Sequence, residues 1–424
     1  MVYELSLVYT AFVPHPPVLI PEVGRGQETI CQQTIDAYQN LAKRIVKANT
    51  ETVVLISPHA PLLEEGITLL ISKMVQGDFA AFGVPSLSLS FPNDDYLVRE
   101  LSEELPGLIT REGKLDHGAM VPLYFLYKED WRGNVILLSM PLSRTEEYGR
   151  LIGDILRKGE KRCALVASGD LSHRLSEDGP YGFTQAGPQF DQAIVDGLKG
   201  DLQKIASIKS TIIEEAGECG YHSLRLVLAA QEATPEVLSY EGPFGVGYLV
   251  ADLYHASSLV SWARNCLTQY LLGSKMEDLP LPVGPEFEVS CGCFVTLKIN
   301  GELRGCIGTT QAWQKNLALE IQHNAIAAGT KDPRFWPVSL EELSSLNFSV
   351  DVLGELEKII STKELDPWRY GVVVRARGKT GLLLPHLEGV NTVAEQVRIA
   401  KQKAGLQADE AVELWRFEVV RHHE

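Results

Sequence analysis

Two textures alternate along the first 255 positions. Short runs, rich in β-branched residues and apolar on both faces, read as strands of a sheet that is covered on both sides: SLVYTAFV, TVVLIS, VILLSM, CALVAS and GVGYLVADL. Between them lie amphipathic stretches with apolar residues at helical spacing: TIDAYQNLAKRIVKA, YLVRELSEEL, YGRLIGDILRKG, FDQAIVDGLKGDLQKIAS and CGYHSLRLVLAAQEA. This alternation predicts an α/β domain whose sheet is covered by helices.

The texture changes near Tyr254. A helix is predicted there, with apolar residues at Leu259, Ala263, Leu267 and Leu271, and the Pro-rich stretch MEDLPLPVGPEFE follows it. Beyond it, CGCFVTLKINGELRGCIG predicts a hairpin turning at Asn300-Gly301. The chain of 424 residues exceeds one ordinary core. The expected domains are 1–255 and 256–424.

Charge narrows the function classes. Residues 1–255 carry 21 basic and 34 acidic side chains, a balance of −13, whereas residues 256–424 carry 18 and 21. A domain this acidic repels polyphosphate, so nucleic acid is not an expected partner. No stretch reaches the roughly 18–20 apolar residues of a membrane span. The first residues lack a basic segment and carry prolines where a signal peptide needs an apolar run. Seven cysteines without regular spacing do not suggest a disulfide framework. A cytoplasmic location is the expectation.

The candidate chemistry lies in four histidines, each read as sitting just past an apolar run. His15 follows LVYTAFV in P-H-P-P, His59 follows TVVLIS in S-P-H-A-P, His117 lies in LDHGAMVPL, and His173 closes CALVASGDLSH. Ligands of open α/β sheets gather at the carboxyl ends of the strands, where imidazoles from separate strands can converge. Two neutral imidazoles and one carboxylate form the usual non-haem iron(II) site, with positions left open for substrate and dioxygen. His15 and His59 are the candidate imidazoles. The segment EEAGECGYHSLRL offers Glu214, Glu215, Glu218, Cys219 and His222 for the third position, with Gly217 and Gly220 freeing the backbone. Asp170 reads as orienting His173 or capping the next turn.

In their order, P-H-P-P, S-P-H-A-P, D-H-G-x-x-V-P-L, S-G-D-L-S-H and the later G-Y-L-V-A resemble the class III extradiol ring-cleaving dioxygenases, the LigB-like family, and the related Memo family. The resemblance covers about residues 5–255. It implies that His15 and His59 hold iron, that a glutamate late in the domain completes the site, and that His117 and His173 act as acid–base and oxygen-stabilising groups. Memo-like proteins instead place a cysteine in a C-G-x-H context. Here Glu218 and Cys219 are adjacent and should point apart, so one of them is the expected ligand. Carboxylate suits iron(II) and dioxygen, which favours Glu218, whereas thiolate draws the site toward softer metals.

Residues 256–424 resemble the AMMECR family, a compact α+β fold. The resemblance rests on Leu303-Arg304-Gly305-Cys306-Ile307-Gly308-Thr309, with DPRFWPV, YGVVV, GLLLP and AKQKAGL in support. Strict alternation along ELRGCIG puts Arg304 and Cys306 on one sheet face. Two readings follow: a ligand site with Cys306 as an activated thiolate beside Arg304, or a small buried Cys306 and an Arg304 held in a structural ion pair.

The pairing of these two domains resembles that of AmmeMemoRadiSam systems, where they accompany a radical S-adenosylmethionine enzyme. This chain lacks the three-cysteine cluster motif of such an enzyme, and C-G-C at 291–293 is too tight, so a partner would bring that chemistry. The expectation is an iron(II)-dependent oxidoreductase acting on an aromatic diol or similar small molecule. The alternative is a metal-holding or substrate-presenting partner of the radical enzyme.

Overall fold

The computed structural model describes residues 6–423 apart from Glu160, Glu232, Thr234, Asn300 and Glu388. The chain divides between Ala256 and Ser257 into two compact units.

Among the described residues the first unit has ten strands: β1 Leu7–Val13, β2 Thr52–Ser57, β3 Ile67–Leu70, β4 Met74–Phe79, β5 Val84–Pro92, β6 Leu108–Arg111, β7 Asn134–Ser139, β8 Cys163–Ser168, β9 Glu236–Glu241 and β10 Tyr248–His255. Eight form one sheet in the order β6-β3-β7-β2-β8-β1-β10-β9, and β4 and β5 form a separate hairpin. The four central strands β7, β2, β8 and β1 run parallel. Their near-continuous apolar sequences match near-complete burial of both faces. One face packs on the helices Gln32–Lys47 and His117–Lys128 through Tyr38, Leu41, Leu123 and Phe125. The other packs on Thr145–Lys158 and Tyr221–Ala230 through Ile152, Leu156, Leu224 and Val227.

The second unit is α+β. An antiparallel sheet of order β12-β11-β13-β18 contains β11 Cys293–Ile299, β12 Glu302–Gly308, β13 Asn347–Leu353 and β18 Val419–His423. The helices Ser258–Leu271 and Leu317–Thr330 share its apolar core. A second antiparallel sheet of order β14-β17-β15-β16 holds β14 Glu357–Ile359, β15 Gly371–Ala376, β16 Lys379–Leu383 and β17 Glu413–Phe417, and packs with the helix Val393–Lys403. The expected hairpin is β11–β12, with Ile299 paired to Glu302. Of its turn, Asn300 lies outside the described residues, and Gly301 takes a φ of +82°, the left-handed conformation that favours glycine.

Candidate metal centre

Three parallel neighbours in the sheet, β2, β8 and β1, deliver His59, His173 and His15 from their carboxyl ends. His117 arrives differently. The strand before it, β6, lies at the sheet edge and runs opposite to the central four, and His117 is instead placed as the first residue of the helix His117–Lys128, whose N-cap Asp116 accepts the Ala119 N–H at 3.1 Å. The apolar run of this helix begins after the histidine, which is why reading all four as strand-end residues fails at this one.

Side-chain geometry gathers these residues. His15 Nε2 and His59 Nε2 lie 3.0 Å apart. The rings of His59 and His117 are 4.0 Å apart, and those of His15 and His117 are 5.4 Å apart. Cys219 Sγ lies 3.7 Å from His15 Nε2 and 3.7 Å from His173 Nε2. Two overlapping groups can each offer three ligand atoms within 4.8 Å of one another: His15, His59 and His117, and His15, Asp170 and Cys219.

The donor set fits a metal ion, and Ser168 shows why. Its hydroxyl donates to the Gly118 carbonyl at 2.6 Å, so it is left to accept from His15 Nδ1–H at 2.9 Å. That bond fixes the tautomer and leaves the Nε2 lone pair aimed into the cluster. Burial, reinforced by the neighbouring imidazoles, holds His15 well below the ordinary histidine range, and burial likewise lowers His59, so both present neutral nitrogens.

Cys219 and Glu218 are placed apart, as adjacent residues should be, and Cys219 is the one that lies beside the histidines. The Glu218 carboxylate accepts the Tyr221 N–H at 2.5 Å, at the start of the helix Tyr221–Ala230, and is not among the grouped ligand atoms. Burial raises its carboxyl to about 7. Cys219 faces His15 instead. The cause is backbone packing: a Cβ on Gly169 would fall 2.2 Å from Gly220 Cα, so only two glycines let these chains touch and bring Cys219 against Asp170. Gly220 thus serves close approach, whereas Gly217 takes a φ of +64° to end the helix Ser210–Ala216.

Asp170 serves His15 rather than His173. Its Oδ1 accepts the His15 backbone N–H at 3.0 Å, and its Oδ2 lies 3.8 Å from His15 Nε2. Burial lifts its carboxyl to about 7. His173 is fixed by its backbone N–H to the Ala216 carbonyl at 3.2 Å. Burial, then His59, lowers His117 to about 4, and the same two causes lower His173, so neutral imidazoles are available for proton transfer. His222 turns away to pair with Thr145 Oγ1 at 3.1 Å.

In the second unit, Arg304 is the extra residue of a bulge. The pairing steps from Leu297–Gly305 to Lys298–Leu303, which interrupts the alternation that would set Arg304 beside Cys306. The guanidinium is fully engaged. Nε and Nη2 bond both oxygens of Glu342 at 2.8 and 3.1 Å, and Nη1 bonds the Trp336 carbonyl at 2.9 Å. Cys306 donates its backbone N–H to Asp332 at 2.8 Å and accepts from Arg334 at its carbonyl, and Thr296 Oγ1 bonds its sulfur at 3.2 Å. Burial pushes the thiol up, against the hydrogen bond from Thr296. Of the two readings of this pair, the geometry fits the structural one: Arg304 is held by Glu342, and the surroundings of Cys306 raise its thiol instead of activating it. Together these bonds fasten segment 332–342 along the edge of β12.

Residues 9–251 match the family described as the catalytic LigB subunit of aromatic ring-opening dioxygenase. The chain belongs to the LigB family. Residues 260–422 match the AMMECR1 family, so the two domains are fused in one chain. Protein CA_C1420 of Clostridium acetobutylicum is 37% identical over 99% of this chain and 100% of its own. A protein of Thermotoga maritima is 49% identical over 38% of this chain and 95% of its own. The crystal structure of PH0010 from Pyrococcus horikoshii aligns with 38% of this chain and 88% of its own at 31% identity, with a TM-score of 0.36.

Proposed function

We propose that the first unit is a non-haem iron(II)-dependent oxidoreductase of the extradiol type, acting on an aromatic diol or a similar small molecule. The observation that carries this reading is the approach of His15 Nε2 and His59 Nε2 to 3.0 Å in a LigB domain. His15 and His59 would hold the metal; His117 is the residue grouped with both, while Cys219 and Asp170 group with His15 and Glu218 with none of them. Bound there, iron(II) would supply Lewis-acid and redox chemistry for a diol and dioxygen. The protein's own groups do the rest. His173 Nε2, neutral through burial, takes a proton from a diol hydroxyl, and His117 donates an N–H to an oxygen of the bound reactants. Ser168 and Asp170 keep His15 in register. The test is oxygen uptake with a panel of catechols, using protein purified without oxygen and analysed for metal. Uptake that depends on both iron and a catechol supports the reading, and iron-loaded protein inert to the whole panel sinks it.

A second reading has its own observation: Cys219, not Glu218, faces His15. A thiolate ligand favours softer metals and weighs against ring cleavage. On this reading the first unit holds a metal or presents a substrate for a radical S-adenosylmethionine enzyme, and the AMMECR1 unit supplies docking. A sulfur–metal signal in X-ray absorption, together with co-purification of such an enzyme, would favour it.

A further inference from the structure

Two aromatic rings stand partly in solvent at the ends of the histidine cluster. Phe82 is 38% exposed and lies edge-on to His117, with ring centres 5.5 Å apart. Tyr181 is 62% exposed and stacks on His173 at 5.2 Å, with 28° between the planes. His59, His15 and Cys219 lie between those two imidazoles. The rings therefore flank the proposed reaction centre, one beside each of the two proton-handling histidines.

Each ring is carried by a fixed turn. Phe82 ends the short turn Ala80–Phe82 between β4 and β5. Asp78 Oδ1 accepts the Ala80 N–H at 3.0 Å, the Gly83 N–H returns to the Ala80 carbonyl at 3.0 Å, and buried Phe79 supports the ring at 6.3 Å. Tyr181 sits at the tip of the excursion 174–184. Leu175 pairs with Phe183 at its base, and the Gly182 N–H bonds the Gly179 carbonyl at 3.2 Å. Small-molecule sites combine apolar, aromatic walls with a few convergent polar groups, and rings already held in place lose little freedom when a ligand arrives.

We propose that Phe82 and Tyr181 are the walls of the substrate cleft and select a flat, unsaturated ring over a saturated ring of the same size. The physical basis is the aromatic quadrupole, which rewards offset-stacked and edge-on contacts with another π-system. This inference rests on the diol reading above and adds the residues that set its specificity.

The experiment is calorimetric titration of the full-length, iron(II)-loaded protein without oxygen, so that nothing turns over. The probes are catechol and its saturated counterpart, cis-cyclohexanediol. Catechol should bind, and its preference over the saturated diol should fall about tenfold in Phe82→Ala and in Tyr181→Ala, because the greater acidity of the phenol hydroxyls favours catechol at the metal equally in wild type and variants. Phe82→Ala and Tyr181→Ala should each weaken catechol about tenfold with metal content and Tm unchanged, and Tyr181→Phe should restore it. Phe82→Leu and Tyr181→Leu, which keep bulk but lose the ring, should behave like the alanine variants. Catechol binding that survives both alanine variants, or a preference unchanged in them, overturns the aromatic walls and leaves the diol reading standing. Failure of the wild-type protein to bind catechol overturns the diol reading, and the walls with it.

Discussion

Ser168 decides which nitrogen of His15 meets the cluster. Its hydroxyl proton goes to the Gly118 carbonyl, so Nδ1 of the imidazole must donate and Nε2 must be the lone-pair nitrogen. Ser168→Ala should weaken metal binding about 10–100-fold, as measured by competition with a chelator, because partners that orient ligands are worth that much. Unchanged affinity would show that the tautomer is set elsewhere. The neighbouring pair Glu218 and Cys219 makes a second prediction. Cys219→Ser should release metal more readily than Glu218→Gln, whereas Glu218→Gln should lower Tm by loosening the start of the helix Tyr221–Ala230. The reverse order in metal content would return the third ligand to Glu218. In the second unit, Arg334 leads in holding the Asp332 carboxyl down at about 2. A carboxyl depressed below its ordinary ~3.9 contributes stability that is fully present above that value and is lost as pH falls through about 2. Asp332→Asn should therefore lower Tm near neutrality and flatten its decline between pH ~4 and ~2. An unaltered acid limb would remove Asp332 from this account. The four histidines were legible in the sequence because each sits in a distinctive local motif. Ser168 and Asp170 were not legible as partners of His15, since their bonds span 153 and 155 positions.

The strands that carry the site were readable for a physical reason. Central parallel strands are buried on both faces, so β1, β2, β7 and β8 announce themselves as continuous apolar runs. The hairpin β4–β5, which bears Phe82, gives no such signal. β5 reads VPSLSLSFP: its apolar positions alternate with exposed ones, Leu89 and Phe91 being buried, so it shows a period of two and no continuous apolar run. The same loss of signal hides β6 and β9, both near the sheet edges and partly exposed. A bulge hid the environment of Arg304, because one extra residue re-aims a side chain and alternation cannot foresee it. Helix packing adds a prediction at this scale. On the helix Thr145–Lys158, a Cβ on Gly153 would fall 2.0 Å from the Ala230 carbonyl oxygen, and one on Gly149 would fall 2.2 Å from that of Leu226. The two helices therefore touch backbone to backbone. Gly153→Ala should force them apart and cost about 1–3 kcal/mol in denaturant unfolding, as overpacking does. A neutral result would mean that the contact yields more easily than its geometry suggests.

At the scale of the whole molecule, the chain joins a LigB unit to an AMMECR1 unit. No helix among the described residues is long and apolar enough to cross a membrane. The strongly negative first unit and the nearly balanced second unit differ in charge as well as in fold. The chemistry assigned to the first unit depends on the approach of His15 and His59, with Cys219 on the other side of His15. It is tested most directly by metal analysis of the full-length protein purified without oxygen, beside the His15→Ala/His59→Ala double variant. The wild-type protein is expected to carry about one divalent ion per chain, with iron favoured, and the double variant to fold but lose tight binding. Stoichiometric metal retained by the double variant would contradict it.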